Sequence, residues 1–337
     1  MHFSADHQAT PEAKDCAAGA LVNLSADPAN RQPLVAAGVH NPLSALLSDP
    51  LATLEAKRWA ALALCNLSLD PANGQALVAD GVHTSLSALL SDQLATARAK
   101  ERAVGALVNL SIARANRQPL VAAGVHIPLS ALLGDPQATA EAKQWAAGAL
   151  GNLSDAPANR QPLVAAGVHN PLSALLIDPQ ATPFAKEWAA GALCYLSVDP
   201  ANHQPLVAAG VHAPLSALLG DPQATPEEKE RAARVLWNLS RDPANRQPLV
   251  VAGVHAPLSA LLIDPQATPE AKECAAGALV ILSRDPANAQ PLVAAGVHTP
   301  LSALLIDPQA TGRATEYAAE AIRNLVISPV PRLIANA

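Results

Sequence analysis

Seven histidines, His40, His83, His126, His169, His212, His255 and His298, recur at a constant interval of 43 residues, and imidazole is a common metal ligand. The interval decides against a shared metal. Packed helices stand about 8–10 Å apart, whereas the ligands of one zinc converge to about 2 Å from it. Each histidine therefore reads as a partly buried structural imidazole, and no metal or other cofactor is expected. Cys16, Cys65, Cys194 and Cys274 form no CxxC pair and stand a repeat or more apart, the pattern of reduced thiols in a cytosolic or nuclear protein. Serines recur in an Asn-Leu-Ser triplet as helix-end residues, but no nucleophile, base and orienting group stand together outside the repeated pattern. There is no glycine-rich phosphate loop either, so the chain reads as a non-enzyme.

The residues that could recognise a ligand are placed more selectively. The triplet stands at Asn23, Asn66, Asn109, Asn152 and Asn238, with Tyr195 and Ile281 in the asparagine place and Asn324 in the last copy. Because the copies superimpose, the sequence itself shows which positions vary. In Thr53 to Ser68 (TLEAKRWAALALCNLS) the varying positions are those of Glu55, Arg58, Trp59, Leu62, Cys65 and Asn66. Turning about 100° per residue, they occupy one helical stripe. The near-constant Ala56, Lys57, Ala60, Ala61, Ala63, Leu64 and Leu67 occupy the opposite arc, the expected buried face. Trp59, Trp145, Trp188, Trp237, Tyr195, Tyr317, Phe184 and all four cysteines fall on the stripe, and Phe3 alone among the aromatics lies outside it. Neutral drift on a solvated face would not gather the rings in this way. Large amphipathic rings on an exposed helical face are what recognition surfaces use.

Charge gives no simple rule for the ligand. Glu141, Glu227 and Glu270 lie where the helix macrodipole favours an anion without any ligand. Glu101, Glu187, Glu230, Glu273 and Glu316 lie a turn further in, and Arg58, Arg102, Arg231 and Arg234 share the stripe with them. The net charge of −6 and a pI near 5.9 argue against a nucleic-acid partner, which calls for a clustered basic surface. No segment approaches the ~18 apolar residues that span a bilayer, and the Asn-Leu-Ser sequons carry no weight without a secretory leader.

The elements that must position the stripe follow from the period. Self-similarity at this interval predicts an all-helical solenoid whose units bury their apolar faces on one another. In the unit beginning near Asp27, Asn30 is expected to cap a first helix with Pro33 in its first turn, and Gly38 to end it. His40-Asn41-Pro42 opens a second helix with Leu43, Leu46 and Leu47 on one face, and Asp49-Pro50 closes it. Thr53 caps the third helix; Pro follows the cap after Thr10, Thr182, Thr225 and Thr268. The 337 residues read as one array: a lone third helix over 10–25, seven complete repeats over 26–326, and a partial first helix over 327–337.

A short helix ending in Ala-Gly, then x-x-P-L-x-x-L-L, then P-E-A-K-E-x-A-A-G-A-L-x-N-L-S and N-R-x-x-L-V, resembles the armadillo repeat. The likeness is strongest to the repeats of plant U-box and vacuolar armadillo proteins, and more distant to importin-α and β-catenin. It implies a right-handed superhelix of three-helix units whose third helices line a concave groove for extended peptides. It also implies that Asn66, Asn109, Asn152 and Asn238 bond a ligand's main chain, in a ladder interrupted by Tyr195 and Ile281. Importin-α carries a Trp one turn before each Asn; here that place holds Gly19, Leu62, Gly105, Gly148, Gly191, Arg234, Gly277 and Glu320, so its lysine pockets do not transfer. No U-box precedes the repeats, so ligase activity does not transfer.

Together these readings predict a non-catalytic module binding a protein or peptide, with Trp59, Arg102, Trp145, Glu187, Trp188, Tyr195, Arg231, Arg234 and Trp237 on the recognition stripe. The alternatives are an adaptor in a larger complex using its outer surfaces and, in another class, an enzyme or metal-binding protein built on the array. A monomer is expected, with no nucleic-acid, membrane or small-molecule partner. Trp145 and Trp188, equivalent residues of adjacent units, are the expected centre of the site, with Gly148 and Gly191 leaving room beside Asn152.

Overall fold

Each third helix opens on a threonine whose hydroxyl accepts the N3 backbone N–H, as at Thr10, Thr53, Thr96, Thr139, Thr225 and Thr268, satisfying a donor that the helix itself leaves unused. At Thr225 a full capping box forms with Glu228, the second of the two glutamates after Pro226. The computed structural model describes residues 10–327; all but Ile327 of the partial helix expected over 327–337 lies outside them, and Ile327 ends the last third helix. Among the described residues the secondary structure is helical throughout, with no strand.

The helices fall into two compact units, one running to Leu175 and taking in Gln180–Ala192, the other comprising Leu176–Pro179 and continuing from Leu193. In the first unit the third helices Pro11–Ala26, Leu54–Ser68, Ala97–Ile112 and Ala140–Asp155 stack in order, as do the second helices His40–Ser48, Val82–Ser91 and His126–Gly134. In the second unit Pro226–Ser240, Pro269–Ser283 and Gly312–Ile327 stack in the same manner, as do His212–Gly220, His255–Leu262 and His298–Leu304. This is an all-α solenoid arrangement. Its core is the predicted face: Ala56, Ala60, Ala61, Ala63, Leu64 and Leu67 are fully buried, and so are their equivalents Ala146, Ala147, Ala149, Leu150 and Leu153. Each buried leucine contributes about 1.5–3 kcal/mol, and the alanines between them let third helices approach closely.

The first helix departs from expectation. Its N-cap is Asp27, whose carboxylate accepts from the Ala29 N–H at 3.0 Å, and Pro28 takes the first helical position, where a missing N–H costs nothing. Pro33 lies inside Pro28–Ala36. Asn30 instead donates its side-chain amide to the Leu24 carbonyl at 3.0 Å. Its buried counterparts Asn73, Asn116, Asn159, Asn202, Asn245 and Asn288 do the same to the carbonyl six residues back, at 2.9–3.0 Å. The asparagine closes the end of the third helix rather than the start of the first. Gly38 has φ +73°, as a left-handed helix terminator requires.

Candidate functional site

The varying stripe is exposed or half-buried at most of its positions, and the Asn-Leu-Ser triplets tie it together across repeats. Asn66 Nδ2 lies 3.2 Å from Ser25 Oγ, and Asn109 and Asn152 lie 3.0 Å from Ser68 and Ser111 of the preceding third helix. In the second unit Asn238 and Asn324 bond Ser197 and Ser283 in the same way, each at 3.0 Å. Each of these serines also donates to a carbonyl of its own helix three residues back.

The rings are laid against glycines. In the first unit a Cβ on Gly105 would stand 3.1 Å from Trp145 Cζ3, and one on Gly151 would stand 3.1 Å from Trp188 Cε3. Gly148 forms the rest of the bed, 3.6 Å by the same measure from Trp188 Cε2. The room read beside Asn152 is thus the seat of the Trp188 indole, which keeps 40% of its surface exposed. Trp59 is placed otherwise: nothing approaches Gly19 within 4 Å, and the Arg58 guanidinium covers the Trp59 ring, 3.9 Å from its centroid. Arg58 also donates to Glu55 at 2.6 Å. In the second unit Trp237 lies on Gly277, where a Cβ would meet Cε2 and Nε1 at 2.8 Å, and Tyr317 meets that indole edge-on at 5.9 Å. Tyr195 is 39% exposed.

Many of the stripe's charges are spoken for by neighbours in the fold. Glu101, Glu230 and Glu273 accept the hydroxyl of the capping threonine in the next repeat, Thr139, Thr268 and Thr311, at 3.2, 3.2 and 2.7 Å. Gln144 serves Thr182 at 2.8 Å, and Asp15 serves Thr53. The macrodipole does not account for these acids; a hydrogen bond between repeats does. Arg234 donates to Glu230 at 2.5 Å, Arg102 lies 3.8 Å from Glu101, and Glu187 and Arg231 are half-buried and engaged. Burial pushes the Cys65 thiol up to about 11 against the pull of Arg102, and the Cys274 thiol up to about 11 against that of Arg234. Among the described residues no cluster of His, Cys, Asp or Glu is arranged to hold a metal.

The known family models and the curated proteins give no match to the sequence. Solved structures do. A crystal structure of an engineered protein superimposes with a TM-score of 0.73 at 26% identity, covering 96% of this chain and 77% of its own. The designed armadillo repeat protein YIII(Dq)4CqI superimposes with a TM-score of 0.59 at 26% identity, over 71% of this chain and 98% of its own. A second designed armadillo repeat protein, solved in complex with the peptide (KR)4, gives 0.59 at 24% identity over the same shares. The chain has an armadillo-like repeat fold.

Within this armadillo-like array, three features of the third helices escaped the sequence. The serine of each triplet read as a helix-end residue, although its recurrence with an asparagine two positions earlier was a signal. Gly148 read as open space beside Asn152, and Gly105, Gly151 and Gly277 were not read as seats for a ring. The column of lysines paired with the Asp-Pro turn of the next repeat was also missed: Lys14 with Asp49 at 2.6 Å, Lys57 with Asp92 at 3.2 Å, Lys229 with Asp264 at 2.9 Å and Lys272 with Asp307 at 2.6 Å.

Proposed function

We propose that this protein is a non-catalytic binding module that holds an extended peptide or a partner's helix along its third-helix face. The observation that carries this reading is in the first unit. Asn66, Asn109 and Asn152 stand half-buried on successive third helices with their amides held by serines, beside Trp145 and Trp188 seated on glycine. Preset amides suit a ligand's main chain, and seated rings give contact area at little entropic cost. The array itself shows one side chain that such a ring accepts, since Arg58 lies on Trp59 in the same column as Trp145 and Trp188. A ligand arginine or lysine over those two rings would make the same cation–π contact, and a designed protein of this fold was solved with the peptide (KR)4.

On this reading the protein needs no cofactor, works as a monomer in the cytosol or nucleus, and keeps its cysteines reduced. Among the described residues no helix is long and apolar enough to cross a membrane. Panning a random 12-residue display library on the immobilised protein tests the proposal. Enriched peptides should lose binding to Trp145→Ala and Trp188→Ala; a failure to enrich, or equal binding to both variants, would overturn it.

A further inference from the structure

We propose that Ser25, Ser68 and Ser111 are positioning residues, each turning the amide of the next repeat's asparagine so that its carbonyl oxygen faces outward as an acceptor. The ligand part of this inference rests on the binding reading above; the serine part does not.

The argument is a count of protons. Ser68 Oγ lies 2.7 Å from the Cys65 carbonyl and Ser111 Oγ 2.7 Å from the Val108 carbonyl. A carbonyl has no proton, so each serine donates its only one to its own helix. Toward the neighbouring repeat the hydroxyl therefore offers lone pairs alone. The side-chain atom of Asn109 or Asn152 that meets it must be Nδ2, since Oδ1 there would set two acceptors face to face. Ser25, bonded to the Val22 carbonyl at 3.0 Å, imposes the same orientation on Asn66. Among the described residues Oδ1 of Asn66, Asn109 and Asn152 meets no donor, and all three side chains are half-buried. The rung at Ile281 is the natural contrast, because Ser240 keeps its bond to the Trp237 carbonyl at 2.7 Å while the residue one repeat on has no amide to turn.

The result is a ladder of three fixed acceptors, Asn66, Asn109 and Asn152, on successive third helices about 8–10 Å apart. An extended chain advances about 3.3 Å per residue, so the ladder requires a main-chain N–H at every second or third residue of the ligand. Proline and N-methylated residues have no such proton and are excluded from those places. Side-chain chemistry between the rungs is left to the rings and charges of the stripe.

The experiment has two arms. In the full chain labelled with ¹⁵N, the side-chain amide of Asn109 should exchange with solvent at least about tenfold faster in Ser68→Ala than in the parent. In the same Ser68→Ala sample the side-chain amide of Asn73, which closes that helix end on the Leu67 carbonyl, should keep the parent's exchange, and this separates positioning from general loosening. Unchanged exchange in Ser68→Ala would overturn the serine role. In the second arm, a peptide enriched by panning is N-methylated at each residue in turn. Two or three positions, two to three residues apart, should lose about tenfold in affinity for the parent, and the loss should shrink below about threefold for Ser68→Ala/Ser111→Ala. Tolerance of every N-methyl group within twofold would overturn the acceptor ladder. A library that yields no peptide counts against the binding function, while the exchange arm still decides what the serines do.

Discussion

Trp188 lies against Gly151 of the preceding third helix, its Cε3 3.1 Å from the point where a Cβ on that glycine would stand. A glycine inside a helix costs about 1 kcal/mol relative to alanine, so the array gives up helix stability to seat the ring. The three seats are not equally tight, which ranks their alanine variants. Gly148→Ala, with 3.6 Å of clearance, should gain about 1 kcal/mol. Gly151→Ala should gain little, because the indole must shift. Gly277→Ala, at 2.8 Å from Trp237, should lose about 1–3 kcal/mol. Urea melts of the three variants check the order, and equal stabilities would show that the rings are not held by these seats.

Truncating a seated ring should affect binding more than folding. Buried aromatic anchors commonly cost about 2 kcal/mol or more, so Trp145→Ala or Trp188→Ala should weaken an enriched peptide about 30-fold. Asn152→Ala should cost on the order of 1 kcal/mol. Isothermal titration beside a circular dichroism melt reads both quantities. Trp59→Ala should cost less, since Arg58 already covers that ring.

The histidine column makes stability depend on pH near neutrality. Burial lowers the folded-state pKa of His83, His126, His169, His212 and His255, and of His203 in the first-helix layer. Nδ1 of the first five is buried without a partner. A base whose folded pKa is depressed favours folding fully above its unfolded value of about 6.5, and that contribution falls as pH drops below it. Thermal midpoints should therefore decline between pH 7.5 and 5, and His126→Gln should flatten the decline. A second loss follows at lower pH. The Leu94 N–H and Lys57 depress the Asp92 carboxyl, and Lys229 and the Gln266 N–H depress that of Asp264; their contribution is complete above about 3.9 and disappears as pH falls through the folded values. A melt that stays flat from pH 7.5 to 5 would remove the histidine effect.

Thiol chemistry should sort Cys16, Cys65 and Cys274 by position. Cys16 is exposed, whereas Cys65 and Cys274 are buried with thiols pushed up to about 11, and the thiolate is the reactive form. At pH 8 an aromatic disulfide reagent should label Cys16 at once and leave Cys65 and Cys274 unreacted until urea unfolds the chain. Rapid labelling of Cys274 in Cys16→Ser would show that its helix opens far more readily than its 3% exposure implies.

How far the sequence speaks depends on the distance over which a residue finds its partner. The third helices, their threonine caps and the buried Ala56, Ala60 and Leu64 face follow from local spacing, and the structure has them where the period puts them. Asn30 was misread because a residue after Asp-Pro-Ala suits a cap by type, while its actual acceptor, the Leu24 carbonyl, is brought back to it by a turn. Glu101 and Ser68 were misjudged because their partners stand 38 and 41 residues away, across a repeat boundary that helical angles within one unit do not cross. Helical angle puts Trp188 on a face that the structure leaves 40% exposed, but which way its ring leans depends on the glycines of another helix.

Three bonds recur between one repeat and the next: lysine to aspartate over 35 residues, threonine to a carboxylate or amide over 38, and asparagine to serine over 41. Where all three form, the junction is built from the same residue types at the same offsets, although Tyr195 and Ile281 leave the asparagine bond out. At the level of the gene, this makes the repeat a unit of exchange. Unequal crossing-over that adds or deletes one whole copy would keep the offsets of 35, 38 and 41 residues on which these bonds depend, so recognition residues can be shuffled into new orders with little change in the scaffold.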